Sequence, residues 1–351
     1  MSNANQFMGD SYELGLQIFS QSAVTAFRNS CVFYTSPDGN NESLPFPVIW
    51  QSSIANAVSE QFIQFNQYPE EPEEHTAGDE LEGQQWEVVQ DDIALDEKPL
   101  KAHKSISERD LIVAHFDTLG PLGAENGYAL ARLANQRLAR LAVNAARSSA
   151  LTSNGMTIHN GGNRVERVAA NVAAAYPVSS TGARNFRDDL ENLAQIQTED
   201  DCPMQRLAII PPYIKRVLTQ NMEIFDIRYS RDQKNSLNGN IIGEIAGYQI
   251  ACINGLLPDA DVLTGPSKYQ GYYEPGSSGN GQPACLAFCA GPGNGMNNKI
   301  RAAVGLLIAQ GLTAKIDQSA RKGDVMLINS LFMGADIMHP YMAGVIDVPT
   351  A

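Results

Sequence analysis

Histidine is the side chain that most often moves protons in catalysis, and the five histidines of this chain all stand singly: His75, His103, His115, His159 and His339. His115 lies two residues before Asp117, a spacing at which a carboxylate could orient an imidazole base. A site of that kind also needs a serine or cysteine nucleophile on a sharp turn, and no such motif accompanies the pair. The spacing therefore predicts no catalytic site.

The sequence also lacks a complete motif for binding a metal ion or a phosphate group. Cys285 and Cys289 have helical spacing, but no second pair and no nearby histidine completes a zinc site. The stretch GPGNGMNN (291–298) lacks the lysine and the strand-to-helix context of a phosphate-binding loop. The clustered carboxylates of 70–97 fit no calcium-binding loop. We expect no metal, no cofactor and no enzymatic activity, and we interpret both cysteines as buried apolar side chains.

Composition and charge exclude further classes of function. The net charge of −14 and the isoelectric point near 4.8 argue against a nucleic-acid-binding protein, because phosphate binding needs a basic face. The five cysteines are odd in number and scattered through apolar runs, which predicts folding in a reducing cytoplasm. We find neither a secretory signal nor an apolar run of membrane-spanning length. With 351 residues and 43% hydrophobic content, we expect a large core in two lobes.

The stretch from Glu70 to Glu97 is the most unusual part of the sequence. It contains twelve acidic residues and no lysine or arginine, and it has too few apolar residues to fold alone. A segment of this composition is either disordered or ordered by lying on another surface. An apolar run (SLPFPVIW, 43–50) precedes it and a second strand-like run follows it. We therefore expect an extended acidic arm, with another copy of the chain as its partner.

The elements that flank this arm follow from the spacing of apolar residues. Residues 1–15 are polar and predict a tail or arm, and near-helical spacing predicts a short helix over 16–32. A strand is predicted over 43–50, at a sheet edge because its two prolines remove hydrogen-bond donors. After a break at 117–123, a long helix rich in alanine, leucine and arginine is predicted over 124–148.

The remaining segments mix helices and strands, which gives an α+β fold class. The predicted helices cover 106–116, 164–175 and 184–197, and a further helix begins at Pro211 and Pro212 after a buried strand in 206–218. We also expect strands within 244–258, a glycine-rich loop region over 259–299, and two strands in 324–348 around a turn at 334–340.

Taken in order, these elements resemble the major capsid protein of tailed bacteriophages, in particular the short-tailed T-seven-like group, which has the Hong Kong 97-type fold. Three segments carry the resemblance: LGLQIFSQSAVTAFRNSCV (14–32) with its Thr-Ala-Phe step, the Phe46-Pro47-Val48 segment, and LFMGADIMHPYMAGVIDV (331–348). The chain departs from the family at His339, where an arginine is usual, and in an acidic segment that looks longer than the family's loop. We identify no Lys–Asn pair for a chain-mail crosslink, so none is expected.

The resemblance implies a division of the chain into five parts. These are an N-terminal arm and short helix (1–42), an extended E-loop hairpin (43–106), a P domain with the long helix as its spine (107–171), an A domain (172–311), and the C-terminal strands of the P domain (312–351).

The same resemblance implies a structural function. Copies of the chain would assemble as hexamers and pentamers into an icosahedral shell around double-stranded DNA, in the virion, after synthesis and assembly in the host cytoplasm. The expected partners are further copies of the chain, a portal protein and a scaffolding protein, with a decoration protein as an optional one. A negatively charged wall would enclose DNA without sequence-specific binding, and no membrane is involved.

In this arrangement each E-loop would lie over the P domain of the next subunit, so its carboxylates need basic partners there. The candidate acidic residues are Glu70, Glu71, Glu73, Glu74, Asp79, Glu80, Glu82, Asp91 and Asp92, and the candidate counter-charges on the spine helix are Arg132, Arg137, Arg140 and Arg147. Obligate interfaces bury about 2,000–5,000 Å², which offsets the entropy of ordering an arm. Exposed ion pairs add only about 0–1 kcal/mol each, so we expect these charges to set register and specificity.

Three alternatives stay open at this level. An encapsulin, a cellular nanocompartment shell, shares the fold and encloses enzyme cargo; encapsulins usually begin with a helix over a cargo site, and the polar residues 1–15 argue against one. A hydrolase or binding protein with an acidic lid over 60–100 would need a pocket with a nucleophile, base or metal site, and we find none. The third alternative is a soluble α/β protein with a disordered acidic insert.

Overall fold

A computed structural model describes residues 3–34, 44–53, 58–65, 88–107, 119–220, 241–257, 266–270, 281–292, 300–319 and 324–350. The helices in these ranges are α1 (Asn3–Ser30), α2 (Leu119–Ala146), α3 (Val172–Ala175), α4 (Ser180–Glu199) and α5 (Pro212–Thr219). The strands are β1 (Trp50–Ser53), β2 (Ser59–Phe65), β3 (Val88–Ala94), β4 (Leu100–Ser107), β5 (Leu151–Ser153), β6 (Met156–His159), β7 (Asn163–Glu166), β8 (Gln205–Ile210), β9 (Ile241–Ile245), β10 (Tyr248–Cys252), β11 (Gln282–Pro292), β12 (Ile300–Arg301), β13 (Val304–Ser319), β14 (Asp324–Ile337) and β15 (Ala343–Val348). The predicted α+β fold class is confirmed.

The two long helices, α1 and α2, pack against each other through small residues. A Cβ built on Gly123 would overlap the carbonyl oxygen of Phe19, and one built on Gly127 would overlap that of Ala23. Glycine at these positions therefore lets the two backbones come close. The predicted spine helix is confirmed, but it begins at Leu119. The break expected at 117–123 is wrong for residues 119–123, which are helical. Pro121 lies in the first turn, where a helix tolerates proline.

The prediction of a polar arm at the N-terminus also needs correction. Helix α1 begins at Asn3, so residues 3–15 continue the helix that was expected only over 16–32. Polar composition indicates contact with water and leaves the backbone conformation open, and no proline interrupts this segment.

A four-stranded sheet lies against the two helices, in the order β1-β13-β14-β4. Strand β1 is parallel to β13, and the other pairs are antiparallel. On β14, Val325, Leu327 and Leu331 are buried on the helix side. The strand expected over 43–50 forms only from Trp50, since Pro45 and Pro47 interrupt the run before it. Its predicted place at a sheet edge is confirmed.

The larger sheet has the order β7-β15-β11-β8-β10-β9, and β12 pairs with β11. Successive residues of β8 point to opposite faces: Leu207 and Ile209 join the core that contains α2, while Ala208 and Ile210 join the core under α4 and α5. The spine helix thus contacts both sheets and ties them into one body.

Two sequence predictions in this sheet are wrong. Strand β11 lies within 259–299, where only loop was expected, because glycine and proline on both sides obscure its short apolar run. Cys285 and Cys289 are therefore on a strand, and both side chains are buried, as their apolar interpretation predicted. The helix expected over 164–175 is replaced by β7 and by the short helix α3.

Two further predicted helices and the two C-terminal strands are confirmed. Helix α4 contains the helix expected over 184–197, and α5 begins directly after Pro211. The two C-terminal strands are present, but β14 belongs to the smaller sheet and β15 to the larger one. The helix expected over 106–116 falls mostly outside the described residues. The division into five parts stays a prediction, and two of its boundaries fall inside strands β4 and β13.

Candidate functional site

The acidic stretch is flanked by a β-hairpin, whose strands β2 and β3 are antiparallel with Phe65 opposite Val88. Because side chains alternate along each strand, the ribbon has two different faces. On one face Phe62 and Ile93 are buried. The opposite face carries the exposed residues Gln61, Ile63, Val88, Gln90 and Asp92. Ile63 is 54% exposed and Val88 41% exposed, which is unusual for two large aliphatic residues on one ribbon.

The buried face of the hairpin fixes it to the smaller sheet. Phe62 and Ile93 join a small apolar cluster with Trp50, Leu307 and Met338. Gln64 Nε2 donates a hydrogen bond of 2.8 Å to the carbonyl oxygen of Met338. The hairpin therefore has its own anchor within the subunit.

The chain that leaves β3 crosses β14 at very close range. The backbone N–H of Asp96 donates to the carbonyl oxygen of Met333 at 3.1 Å. A Cβ built on Gly334 would overlap the carbonyl oxygen of Ala94 and crowd the Cα of Leu95. A glycine at position 334 is thus a condition for the hairpin to lie where it does.

Asp96 is the polar centre of this crossing. Its carboxylate is 2% exposed and binds Arg137 Nη1 at 2.9 Å and Lys268 Nζ at 2.9 Å. The hydroxyl of Tyr269 donates to the same carboxylate at 3.1 Å. Burial and the neighbouring Asp96 carboxylate raise the pKa of Tyr269, so the hydroxyl stays protonated and remains a donor. Asp96 thereby joins the hairpin to the spine helix and to the 3-10 turn at Ser267–Tyr269.

A second buried carboxylate lies at the other end of the spine helix. Arg147 donates two hydrogen bonds to Asp347, from Nε at 2.8 Å and from Nη2 at 2.7 Å, and Arg164 Nε adds a third at 2.7 Å. The Asp347 side chain is fully buried. This group connects the end of α2 to β15 and β7 of the larger sheet.

The four arginines expected as counter-charges on the spine helix differ in their exposure to solvent. Arg132 is exposed, and its role as a partner for a neighbour's carboxylates stays a prediction. Arg137, Arg140 and Arg147 are buried or nearly so, and two of them pair with Asp96 and Asp347 of the same chain. We therefore correct the role of these three to an internal one, because α2 has neighbours on several sides and offers them no open surface.

Only two of the nine acidic candidates lie among the residues that the structure describes. Glu70, Glu71, Glu73, Glu74, Asp79, Glu80 and Glu82 lie outside the described residues. Asp91 and Asp92 are exposed on β3. Burial, with a smaller contribution from the Asp91 and Asp92 charges, raises the pKa of Asp336 on β14. Asp91 and Asp92 therefore lie close enough to Asp336 to disfavour its ionised form.

Asp96, Asp347 and Gly334 are not among the candidate residues that the sequence pattern predicts. For Asp347 a signal exists, since one carboxylate in an otherwise apolar strand must be paired to be buried. Asp96 has no such signal, because it lies among many other acidic residues.

His115 and Asp117 lie outside the described residues. Among the residues that the structure does describe, no group of three or more histidine, cysteine, aspartate or glutamate side chains is placed to hold a metal ion. In those same ranges, no helix is both long and apolar enough to cross a membrane.

No protein-family model and no curated protein matches the sequence of this chain. Solved structures do match its fold. The capsid of Cyanophage P-SCSP1u has 20% identity and a TM-score of 0.64, over 86% of this chain and 87% of that one. The mature capsid of bacteriophage PhiM1 has 13% identity and a TM-score of 0.61, over 85% of each chain. The capsid of Ralstonia phage GP4 has 11% identity and a TM-score of 0.56, over 92% and 90%. The chain therefore has the Hong Kong 97-type fold of these phage capsid subunits.

Proposed function

We propose that this chain is the major capsid protein of a tailed bacteriophage, a structural protein without catalytic activity. The observation that carries the proposal is the extent of the fold match. Three phage capsid subunits align over 85–92% of this chain, and 85–90% of each of them is covered in return. The fold match thus extends over nearly the whole length of both chains.

In this proposal the chain assembles as hexamers and pentamers that close into an icosahedral shell around double-stranded DNA, in the virion, after assembly in the host cytoplasm. A portal protein and a scaffolding protein are its expected partners. The net charge of −14 suits a wall that encloses DNA without binding it tightly.

The hairpin is the proposed assembly element, and each copy lies over the P domain of the next subunit. Its base is fixed by Asp96 and by the apolar cluster around Ile93, so its direction is set before a neighbour arrives. Its other face exposes Ile63 and Val88, which lose contact with water only when another surface covers them. Preorganisation of this kind lowers the ordering cost of assembly.

Electron microscopy of the purified full-length chain, with and without the scaffolding protein of its genome neighbourhood, tests the proposal. We expect closed icosahedral shells. A chain that stays monomeric under both conditions contradicts the proposed function.

A shortened hairpin tests the role of the acidic segment. Because Phe65 lies opposite Val88, an Asn-Gly turn can replace residues 66–87 and close the ribbon as a two-residue hairpin. We expect this variant to fold, with wild-type circular dichroism, and to lose or misdirect shell assembly. Normal shells from the shortened chain would show that the segment has no part in assembly.

An encapsulin-type shell is the second candidate, and one observation favours it. Encapsulins usually begin with a helix, and α1 is helical from Asn3, where the sequence predicts a polar arm over 1–15. The content of shells isolated from the native host separates the two: packaged DNA supports the capsid, and a co-purifying enzyme without DNA supports the compartment.

A further inference from the structure

Two buried cysteines, Cys202 and Cys289, meet at the end of α4. This helix ends at Glu199, and Asp201 has a positive φ of 51°, a left-handed conformation that turns the chain at the end of a helix. The backbone N–H of Cys202 then donates to the carbonyl oxygen of Gln197 at 2.9 Å. The turn therefore keeps Cys202 beside the last turn of α4.

The segment that contains Cys202 lies on strand β11. A Cβ built on Gly291 would come within 2.5 Å of Cγ of Pro203. Cys289 is two residues before Gly291 on this strand, so both positions point to the same face of the sheet. On that face Cys289 Sγ donates to Oε1 of Gln197 at 3.1 Å. Cys202 and Cys289 thus bind the same glutamine, the first through its backbone and the second through its thiol.

The two thiols are in contact inside this junction. Hydrogen bonding to the Cys289 thiol, followed by burial, raises the pKa of Cys202. Both cysteines belong to the same buried cluster, where Cys202 is 6% exposed and Cys289 is fully buried. Met204, two residues further along, is 81% exposed, so the junction lies directly under the surface. A small oxidant therefore reaches the pair from the Cys202 side.

We propose that Cys202 and Cys289 are a redox-sensitive pair, with both thiols reduced in the cytoplasm and joined as a disulfide after the protein leaves the cell. A reducing cytoplasm preserves thiols, whereas extracellular media favour disulfides. The raised pKa of Cys202 keeps its reactive thiolate scarce, so the pair closes slowly and folding is complete first. The proposal rests on the proposed function, because a protein released with the virion makes this change of compartment.

Hydrogen peroxide is a sufficient oxidant for this step. The sulfur of Cys202 attacks one peroxide oxygen, the O–O bond breaks, and a sulfenic acid and one water molecule are formed. The sulfur of Cys289 then attacks the sulfenic sulfur, the S–S bond forms, and the sulfenic oxygen leaves as a second water molecule with the thiol proton. The two thiols thereby lose two electrons and two protons, and the peroxide is reduced to water.

The disulfide would stabilise the larger sheet. It ties the end of α4 to β11 and closes a covalent loop that contains β8, α5, β9 and β10. A crosslink stabilises a fold by restricting the unfolded chain, and it does so more strongly for a long loop. We expect oxidation to raise the Tm of the subunit by about 5 °C.

Peptide mapping of the wild-type chain tests the pairing. The unassembled chain, and shells where they form, are treated with hydrogen peroxide at pH 8, the remaining thiols are alkylated, and the protein is digested with trypsin without reduction. We expect the peptide Asp188–Arg206 to be linked to the peptide Tyr269–Lys299, and the link to disappear on reduction. Oxidised protein without this linked peptide overturns the proposal.

Single substitutions identify the sulfur on β11. Cys289→Ala is expected to abolish the link and the rise in Tm. Cys285→Ala, the matched change at a buried position on the same strand, is expected to keep both. A link that survives in folded Cys289→Ala, or that is lost in folded Cys285→Ala, assigns the bond to Cys285 and refutes the proposal.

The same measurements separate this pair from the proposed function. Shells that form without the linked peptide refute the redox pair and leave the function intact. A chain that gives the linked peptide but forms no shells refutes the function and leaves the contact between the two thiols intact.

Discussion

Asp96 Oδ2 and Arg137 Nη1 are 2.9 Å apart, and their side chains are 2% and 9% exposed. The carboxylate belongs to the segment that leaves the hairpin, and the guanidinium belongs to the middle of the spine helix. Lys268 and Tyr269 bind the same carboxylate. The base of the hairpin is therefore held by charges within one subunit.

Replacing Asp96 should cost far more stability than replacing the acidic residue beside it. Asp96→Ala leaves Arg137 buried without its carboxylate, and breaking a buried pair in this way costs about 3–5 kcal/mol of unfolding free energy. Urea denaturation of the unassembled subunit measures the loss. Glu97→Ala is the matched control, because Glu97 is exposed and such changes stay within about 0.5 kcal/mol. Equal losses in the two variants would show that the Asp96 pair is not structural.

The Gly334→Ala substitution should displace the base of the hairpin. The new methyl group overlaps the carbonyl oxygen of Ala94, and backbone atoms cannot rotate away as a side chain does. We expect a loss of about 1–3 kcal/mol or more in unfolding free energy, together with defective assembly. Gly311→Ala on β13 is the control, since a Cβ there meets nothing within 4 Å. The prediction fails if both variants unfold at the same urea concentration.

The parts of the fold that could be predicted have a strong local pattern. The spine helix repeats leucine and alanine at helical spacing, and Pro211 and Pro212 mark the start of α5. Strand β11 lacked such a pattern, because glycine and proline flank it on both sides. The start of α2 differs from its predicted position because its glycines serve a packing contact with α1, and a single sequence does not show that contact.

For the candidate site, the sequence predicts the acidic composition of the segment but not the contacts that its residues make. The acidic stretch is visible in the sequence, but the Asp96–Arg137 pair joins residues 41 positions apart and depends on the tertiary structure. Composition alone predicts the arginines of α2 to be surface charges, because charged residues on a helix usually face water. In this fold the helix lies between α1 and both sheets, so Arg137 and Arg147 face buried carboxylates instead.

Asp336 should contribute less to the stability of the subunit at neutral pH than at acidic pH. The folded state raises the pKa of this carboxyl, so its favourable contribution is complete at low pH and is lost as the pH rises through the folded-state pKa. Asp336→Asn keeps an acceptor for the backbone N–H of Ile337 and removes the charge. We expect the variant to be more stable than the wild type at pH 7, with the difference vanishing toward about pH 3. Asp188→Asn, an exposed change on α4, should show no such trend.

His339 should make the junction of the two sheets sensitive to acid. It lies in the turn between β14 and β15, where its backbone N–H donates to Ala303 and its ring lies 5.8 Å from that of Tyr341. Burial, followed by the charges of Arg301 and His159, lowers the pKa of His339 to about 4.

The direction of the acid effect follows from this shift. The unfolded chain takes up the proton near pH 6.5 and the folded subunit only near pH 4. The contribution of His339 to stability is therefore complete above pH 6.5 and is lost as the pH falls from there toward 4. The loss attributable to this residue is roughly 2–3 kcal/mol. His339→Gln removes the titrating group, so urea denaturation at pH 7 and at pH 4 should give a smaller difference for the variant than for the wild type. His103→Gln, at an exposed site on β4, should retain the wild-type difference. If the two variants lose equal stability on acidification, His339 does not control the acid response of this junction.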